Sequence, residues 1–262
     1  MNEQPAPGAG GWPPDKGGVS RSKTRKALRV AAGVAVVVVM AATARDLARG
    51  SSQPMTRGGQ DLTPSPTAPS QSRDPSAALL ADLIVTDADV GPALTVVGMQ
   101  GGNGLSQPTL DLCEGTYTSE SMRTARLQVL AVDAQGQAAL STEAVLYSSG
   151  AGTAAAFSEL KATAASCRDG RTRFGPAPDS DWPQVPSVER LAFAFDTVDS
   201  SGETDHSVAV FLRRGRALLG VYFSHADAPT AVVDGKTALG EIVNIFAGRL
   251  AKLPVAAIST TA

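Results

Sequence analysis

The chain has 262 residues, a formal charge of −2 at pH 7, two cysteines and two histidines. Charge is unevenly placed: residues 1–29 hold six cations against Glu3 and Asp15, a net of +4, which leaves −6 for the remainder. A mildly acidic body with no Lys/Arg cluster on a predicted helix or strand excludes a nucleic-acid footprint.

Arg21, Lys23, Arg25, Lys26 and Arg29 precede an uncharged run, residues 30–44. Fifteen residues make a helix of about 22 Å, short of a hydrocarbon core of about 30 Å. Starting at Ala27 with Arg29 snorkelling extends it to about 27 Å. The run is therefore read as a transmembrane anchor over 27–44, with a short basic cytoplasmic tail, 1–26, inside and the bulk of the chain outside. Ala42-Thr43-Ala44 also fits a signal-peptidase site, so secretion after cleavage near Ala44 stands as the alternative. Against it, the basic segment before the run is long for a signal peptide. No cysteine follows the run, which excludes a lipoprotein anchor.

Residues 45–75 read as a disordered Pro/Ser/Thr-rich tether. Within 51–75, 18 of 25 residues are Ser, Thr, Pro, Gly or Gln, too few apolar groups to offset the entropy of ordering. A domain over 76–254 and a tail, 255–262, follow. Asp74-Pro75 predicts an N-cap and first helical position, with Leu79, Leu80, Leu83 and Ile84 in the helix and a turn at 86–91. A strand at 94–99 leads to a glycine-rich loop, 101–104. Strands at 124–133 and 138–148 meet near Gly136. A helix at 153–168 has Phe157, Leu160, Ala164 and Cys167 on one face. A Pro/Asp-rich loop, 175–187, precedes strands at 188–199, 206–213 and 216–224, and a helix at 237–252 ends the domain. The fold class is α+β, a twisted antiparallel β-sheet with flanking helices. With Arg214-Gly215 as a two-residue loop, Leu212 faces Ala217 and Val210 faces Leu219. Both faces of that hairpin are apolar, so it is predicted to be a central pair covered on both sides.

Two cysteines in an exported domain most simply form one disulfide. Cys167 lies on the inward helix face and Cys113 in a loop that needs fixing. The chain-entropy contribution is about 4 kcal/mol. C-x-x-C spacing, which a redox role would prefer, is absent.

Motifs for chemistry are weak. Ser158-Glu159-Leu160-Lys161 matches the S-x-x-K of acyl-enzymes, but Phe157 and Leu160 define the buried face and place Ser158 and Lys161 on its flank. Gly235-Lys236-Thr237 lacks the opening glycine of a phosphate loop, since Thr230 stands there. No catalytic residue, resident metal or cofactor is assigned. In the hairpin register above, residue 225 opposes 204, so His206 and His225 share a face diagonally, with Glu203, Asp205 and Asp227 nearby. They form a candidate ligand-binding or proton-sensing cluster. Trp182, between Asp181 and Pro183, is a candidate ligand contact in a loop.

Residues 79–91, the run Leu112-Cys113-Glu114-Gly115-Thr116-Tyr117 and the helix end Ala165-Ser166-Cys167 carry a resemblance to the PknH-like extracytoplasmic sensor domains of actinobacteria. It covers about residues 77–253. It implies an antiparallel sheet with flanking helices around a cleft, a non-catalytic folded part and an unidentified ligand. The chain departs from the family in lacking the kinase domain, for which residues 1–26 leave no room. It also lacks a second disulfide, which leaves the loop at 170–187 less restrained. Arginine outnumbers lysine 17 to 6, a bias associated with GC-rich actinobacterial genomes. The expected function is a membrane-tethered ligand-binding or sensor-like domain. Its expected partners are a small molecule or cell-envelope component and a signalling protein. The alternatives are a cell-envelope hydrolase or acyltransferase and a structural interaction module.

Overall fold

The computed structural model describes residues 74–198, 202–226 and 230–259. The predicted cytoplasmic tail, the predicted membrane segment and the predicted tether up to residue 73 lie outside them, as does Asp227. Among the described residues no helix is long and apolar enough to cross a membrane.

Seven strands form one antiparallel sheet: β1 Thr95–Gly98, β2 Arg123–Val132, β3 Ala138–Tyr147, β4 Thr172–Phe174, β5 Glu189–Val198, β6 Thr204–Arg214 and β7 Ala217–Phe223. Their spatial order is β1-β2-β3-β7-β6-β5-β4. Helices α1 (Gly150–Ser166), α2 (Leu239–Ala251) and α3 (Val255–Ile258) flank it. The α+β class predicted from the strand and helix patterns is the one observed. The short β4 has too few residues to show an alternation, and the sequence reading passed over it.

The alternation along β6 explains the layering. Val208, Val210 and Leu212 face α2 and pack with Ile242, Val243, Phe246 and Leu250. Ala209 and Phe211 face the other way and pack with Phe157 and Leu160 of α1. A strand apolar on both faces needs cover on both, and β7, the middle strand, has it.

The β6–β7 hairpin turns at Gly215 and Arg216, with Arg214 paired to Ala217 and Leu212 to Leu219. The sequence reading placed the loop one residue earlier. Gly215 has φ +56 and occupies the first loop position, where a left-handed residue suits the strand twist. The correction moves each partner by two residues, so every side chain keeps its predicted face.

The first predicted helix is a 3-10 helix, Ala77–Asp82, whose end carries Leu80 and Leu83 into the α2-side core. Asp74 accepts from Ser76 N at 2.9 Å, as a cap would. Its larger role is an ion pair with Arg216, the two side chains being 3% and 0% exposed. Arg216 also donates to Ala257 O at 2.8 Å and Tyr147 O at 3.0 Å. One guanidinium thus joins the entering chain, β3 and α3. The fold reaches at least from Asp74 to α3, so residues 255–258, read from sequence as tail, belong to the domain.

This pair sets an acid limb of stability. Hydrogen bonding to Arg216, against the cost of burial, holds Asp74 at about 2, below the unfolded value of about 3.9. The native state binds the proton less tightly, so this stabilisation is full above about pH 4 and is lost as pH falls toward 2. Replacing Asp74 by Asn should flatten that limb in urea titrations between pH 2 and 5. An unchanged acid limb would count against the assignment.

The loop at 170–187, expected to be less restrained, is pinned in its 179–183 part by Arg190. Its guanidinium bonds Asp179 Oδ2 at 2.8 Å and the carbonyl oxygens of Pro183 and Trp182 at 2.9 and 3.3 Å. It also lies over the Trp182 ring, 5.5 Å from the centroid.

Candidate functional site

On the α1 face of the sheet, polar side chains occupy positions where β2 and β3 should be apolar. Arg126 and Gln128 point to this face from β2, and Ser141 and Glu143 from β3. All four are buried, and Gln128 pairs directly with Glu143 across the ladder. Arg126 Nε donates to Glu143 Oε1, the side chains being 1% and 0% exposed. Thr109 Oγ1 donates to the same oxygen at 2.9 Å. Arg126 is then fully used: Nη1 reaches Gly101 O at 3.1 Å and Nη2 bonds Gln128 Oε1. Gln128 Nε2 donates to Ser141 Oγ at 3.2 Å.

Among the described residues, the other oxygen of Glu143, Oε2, has only the Tyr222 hydroxyl at 3.4 Å. Tyr222 reaches it because Gly220, paired with Glu143, has no side chain. A Cβ on Gly220 would lie 2.4 Å from the Tyr222 hydroxyl.

From Tyr222 an aromatic ladder runs outward across three strands. Tyr222 meets Phe211 of β6 at 5.7 Å, Phe211 meets Phe193 of β5 at 6.3 Å, and Phe193 meets Phe174 of β4 at 5.8 Å. All three contacts are edge-to-face, the favoured geometry for aromatic pairs. Phe211 is buried, while Tyr222, Phe193 and Phe174 are half-buried.

The segment before the disulfide closes the polar end. Glu120 accepts from the amides of Thr109 and Leu110 at 2.9 and 3.0 Å, and pairs with Arg123 at 2.9 Å. Arg123 also bonds Leu105 O and Gln107 O. These bonds deliver Asp111 to the cluster. Among the described residues no other side chain hydrogen-bonds or ion-pairs with its carboxyl. Burial, together with Glu143 and Glu120 close by, pushes the Asp111 carboxyl well above the usual range. Burial raises Glu143 and Glu120 as well, with Arg126 and Arg123 opposing. Three carboxyls thus share two guanidinium groups.

Past Asp111, Cys113 and Glu114 have φ of +55 and +52, a left-handed pair without glycine. The Cys113–Cys167 disulfide holds them to the end of α1, and the Tyr117 hydroxyl donates to Leu112 O at 2.8 Å. The predicted staple between loop and helix is present. The group Cys113, Cys167 and Asp169 has ligand-like spacing, but its two sulfurs are bonded to each other.

The residues singled out from sequence lie elsewhere. His206 continues the α2 face of β6 and pairs with Asp196, its neighbour on β5. His225 pairs with Asp205 at 2.7 Å. The corrected register sets the two histidines opposite rather than diagonal, yet each takes its own carboxylate. His225 also has φ +51, which breaks the strand alternation. Trp182 is half-buried against α2, where a Cβ on Gly240 would lie 2.6 Å from its Cδ1. It is a packing residue under Arg190. Ser158 is exposed and donates to Ala154 O at 3.1 Å, and Lys161 is exposed. Glu159 between them accepts from Thr118 N at 3.0 Å and Ser119 Oγ at 2.6 Å, a structural bond to the neighbouring turn. Lys236 pairs with Glu241 at 3.2 Å beyond a tight turn at Asp234 and Gly235.

Arg126, Gln128, Glu143, Asp111 and Tyr222 were missed. Their signal was present: Arg126 and Gln128 at alternate positions of β2, and Ser141 and Glu143 at alternate positions of β3. Charged residues at alternate strand positions ordinarily mark a solvated face, and no local pattern tells a solvated face from a buried ionic one.

No protein-family model matches the chain, and no curated protein matches it. The fold is similar to the crystal structure of the extracellular domain of PknH from Mycobacterium tuberculosis. The TM-score is 0.43 at 10% identity, over 70% of this chain and 100% of that one. A likeness of that size identifies neither family nor function.

Proposed function

We propose that the chain is a membrane-tethered extracytoplasmic binding or sensor-like domain without catalysis of its own, with its ligand site at the polar end of the aromatic ladder. The observation that carries this reading is the buried ionic cluster around Glu143 and Arg126, beside which lies Asp111, a carboxyl with no side-chain partner among the described residues. Burying charge without a partner costs stability, and groups held this way cluster at functional sites. The basic flank, apolar run and tether support placement outside the membrane, and the disulfide fits an oxidising compartment. The tether enters at Asp74, locked to Arg216. The neighbouring Gly215 carbonyl accepts from Thr153 in the first turn of α1, at 2.6 Å. Ligand occupancy under α1 would reach a partner protein or the anchor through that node.

The test is thermal unfolding of the full chain with fractionated cell-envelope extract. A ligand at about one hundred times its Kd adds about 2.7 kcal/mol, a Tm rise of about 5–10 °C for a domain of this size. The expected result is one active fraction whose shift falls away in Asp111→Asn. That variant should itself be more stable at neutral pH, because ionisation of Asp111 is favoured in the unfolded chain over the native state and the Asn side chain removes that pull toward unfolding. Its advantage should vanish at acid pH, where Asp111 is protonated in both states. No active fraction, or an equal shift in the variant, would remove the reading.

A further inference from the structure

We infer that reduction of the Cys113–Cys167 bridge creates a zinc site whose protein ligands are the two thiolates and the Asp169 carboxylate. The site is separate from the ligand reading above and does not rest on it.

An oxygen of Asp169 and the two sulfurs all lie within 4.8 Å of one another. The Cα atoms of the two cysteines are 5.9 Å apart. Two Zn–S bonds of about 2.3 Å at a tetrahedral angle set the sulfurs about 3.8 Å apart, a spread within reach of side-chain rotation at that Cα separation. Cys113, Cys167 and Asp169 are half-buried, so a reductant and an ion can both reach them.

The carboxylate is held ready. Cys167 leaves α1 with ψ 127, and left-handed Gly170, φ +75, turns the chain back. Asp169 Oδ1 then accepts from the amides of Arg171 and Thr172 at 2.9 and 2.7 Å, and Oδ2 accepts from Thr172 Oγ1 at 2.7 Å. These bonds leave Oδ2 with lone-pair capacity for a metal and fix its direction, as outer partners do for ligating carboxylates.

Charge and softness choose the ion. Two thiolates and a carboxylate exceed a divalent ion by a single negative charge. Exposed Arg168, on the Cys167 carbonyl at 2.6 Å, and exposed Arg171, paired with Glu114, lie beside it. Sulfur ligands suit zinc, whereas calcium and magnesium take oxygen. Water fills the fourth position.

A dithiol reductant opens the site. Its thiolate attacks one sulfur, the S–S bond breaks, and the reductant leaves as a cyclic disulfide. Two electrons and two protons pass to Cys113 and Cys167. Zinc then displaces both thiol protons to solvent. The metal takes over the clasp between the loop and the end of α1 when the sulfur bond is open.

The test is cobalt(II) titration of the full chain, with cobalt as the spectroscopic stand-in for zinc. The chain is first reduced by a phosphine, which becomes its oxide with oxygen from water, and the excess is removed without air. The reduced chain should bind one cobalt ion with a sulfur-to-metal charge-transfer band, and one equivalent of zinc should abolish that band. The unreduced chain should show none. Asp169→Asn should keep the band but bind at least about tenfold more weakly, the loss expected even for an outer partner. Zinc should also raise the Tm of the reduced chain and return hydrogen-exchange protection across 109–117, a readout that decides even where reduction loosens the fold. Absence of the band, an equal band without reduction, or no zinc-dependent rise in Tm overturns the site. Undiminished affinity in Asp169→Asn overturns it as a three-ligand site.

Discussion

Replacing Arg126 by Met should cost about 3–5 kcal/mol, because it leaves a carboxylate without its partner in a fully buried place. Glu143 is 0% exposed and depends on Arg126 and the Thr109 hydroxyl for its Oε1. Total domain stability is about 5–15 kcal/mol, so the single variant is expected to be largely unfolded at modest denaturant. Glu143→Gln should be milder, since Arg126 keeps Gly101 O and Gln128 as acceptors. The double variant Arg126→Met/Glu143→Gln should recover most of the loss, because the uncompensated charge is gone. Urea unfolding of all three measures the coupling. A double variant as unstable as Arg126→Met would mean that packing, not the unpaired charge, carries the cost.

Removing the disulfide as Cys113→Ser/Cys167→Ser should cost about 4 kcal/mol by the chain-entropy account, for a separation of 54 residues. The local effect matters more for the site. Cys113 and Glu114 are both left-handed without being glycine, a conformation of roughly 1–3 kcal/mol per residue that persists only where surroundings impose it. Without the bridge the segment should relax toward ordinary φ, and Asp111, two residues upstream, should lose its position. Hydrogen exchange should show lost protection across 109–117 in the double-serine variant, while β6 and β7 keep theirs. Unaltered protection at 109–117 would show that Tyr117 and Glu120 suffice to hold the segment.

Most elements were legible in the chain because their signals are local. Strand-length stretches rich in apolar residues marked β2, β3, β5, β6 and β7, and the spacing of Phe157 and Leu160 marked the inward face of α1. The hairpin loop was displaced by one residue because both Arg214-Gly215 and Gly215-Arg216 contain the required glycine. The choice went to the pair that lets Arg216 reach Asp74, a residue 142 positions away. Restraint of the loop at 170–187 was misjudged for a similar reason. Cysteines can be counted in a sequence, but the four acceptors that Arg190 gathers cannot.

The histidines drew notice because two of a rare type fell near each other in a predicted register. The buried polar cluster went unseen because it draws a few residues each from β2, β3, β7 and the segment before Cys113. Composition, alternation and cysteine number, by themselves, determined the α+β class, the two-sided burial of the β6–β7 pair and the single disulfide. Each of these follows from which side chains can leave water and which sulfurs exist. Tertiary structure alone decided that Arg126 and Glu143 face inward, that Gly220 lets Tyr222 lie back toward them, and that Asp111 arrives close to Glu143 and Glu120. A sequence records charges one at a time, whereas pairing is a property of distances between segments.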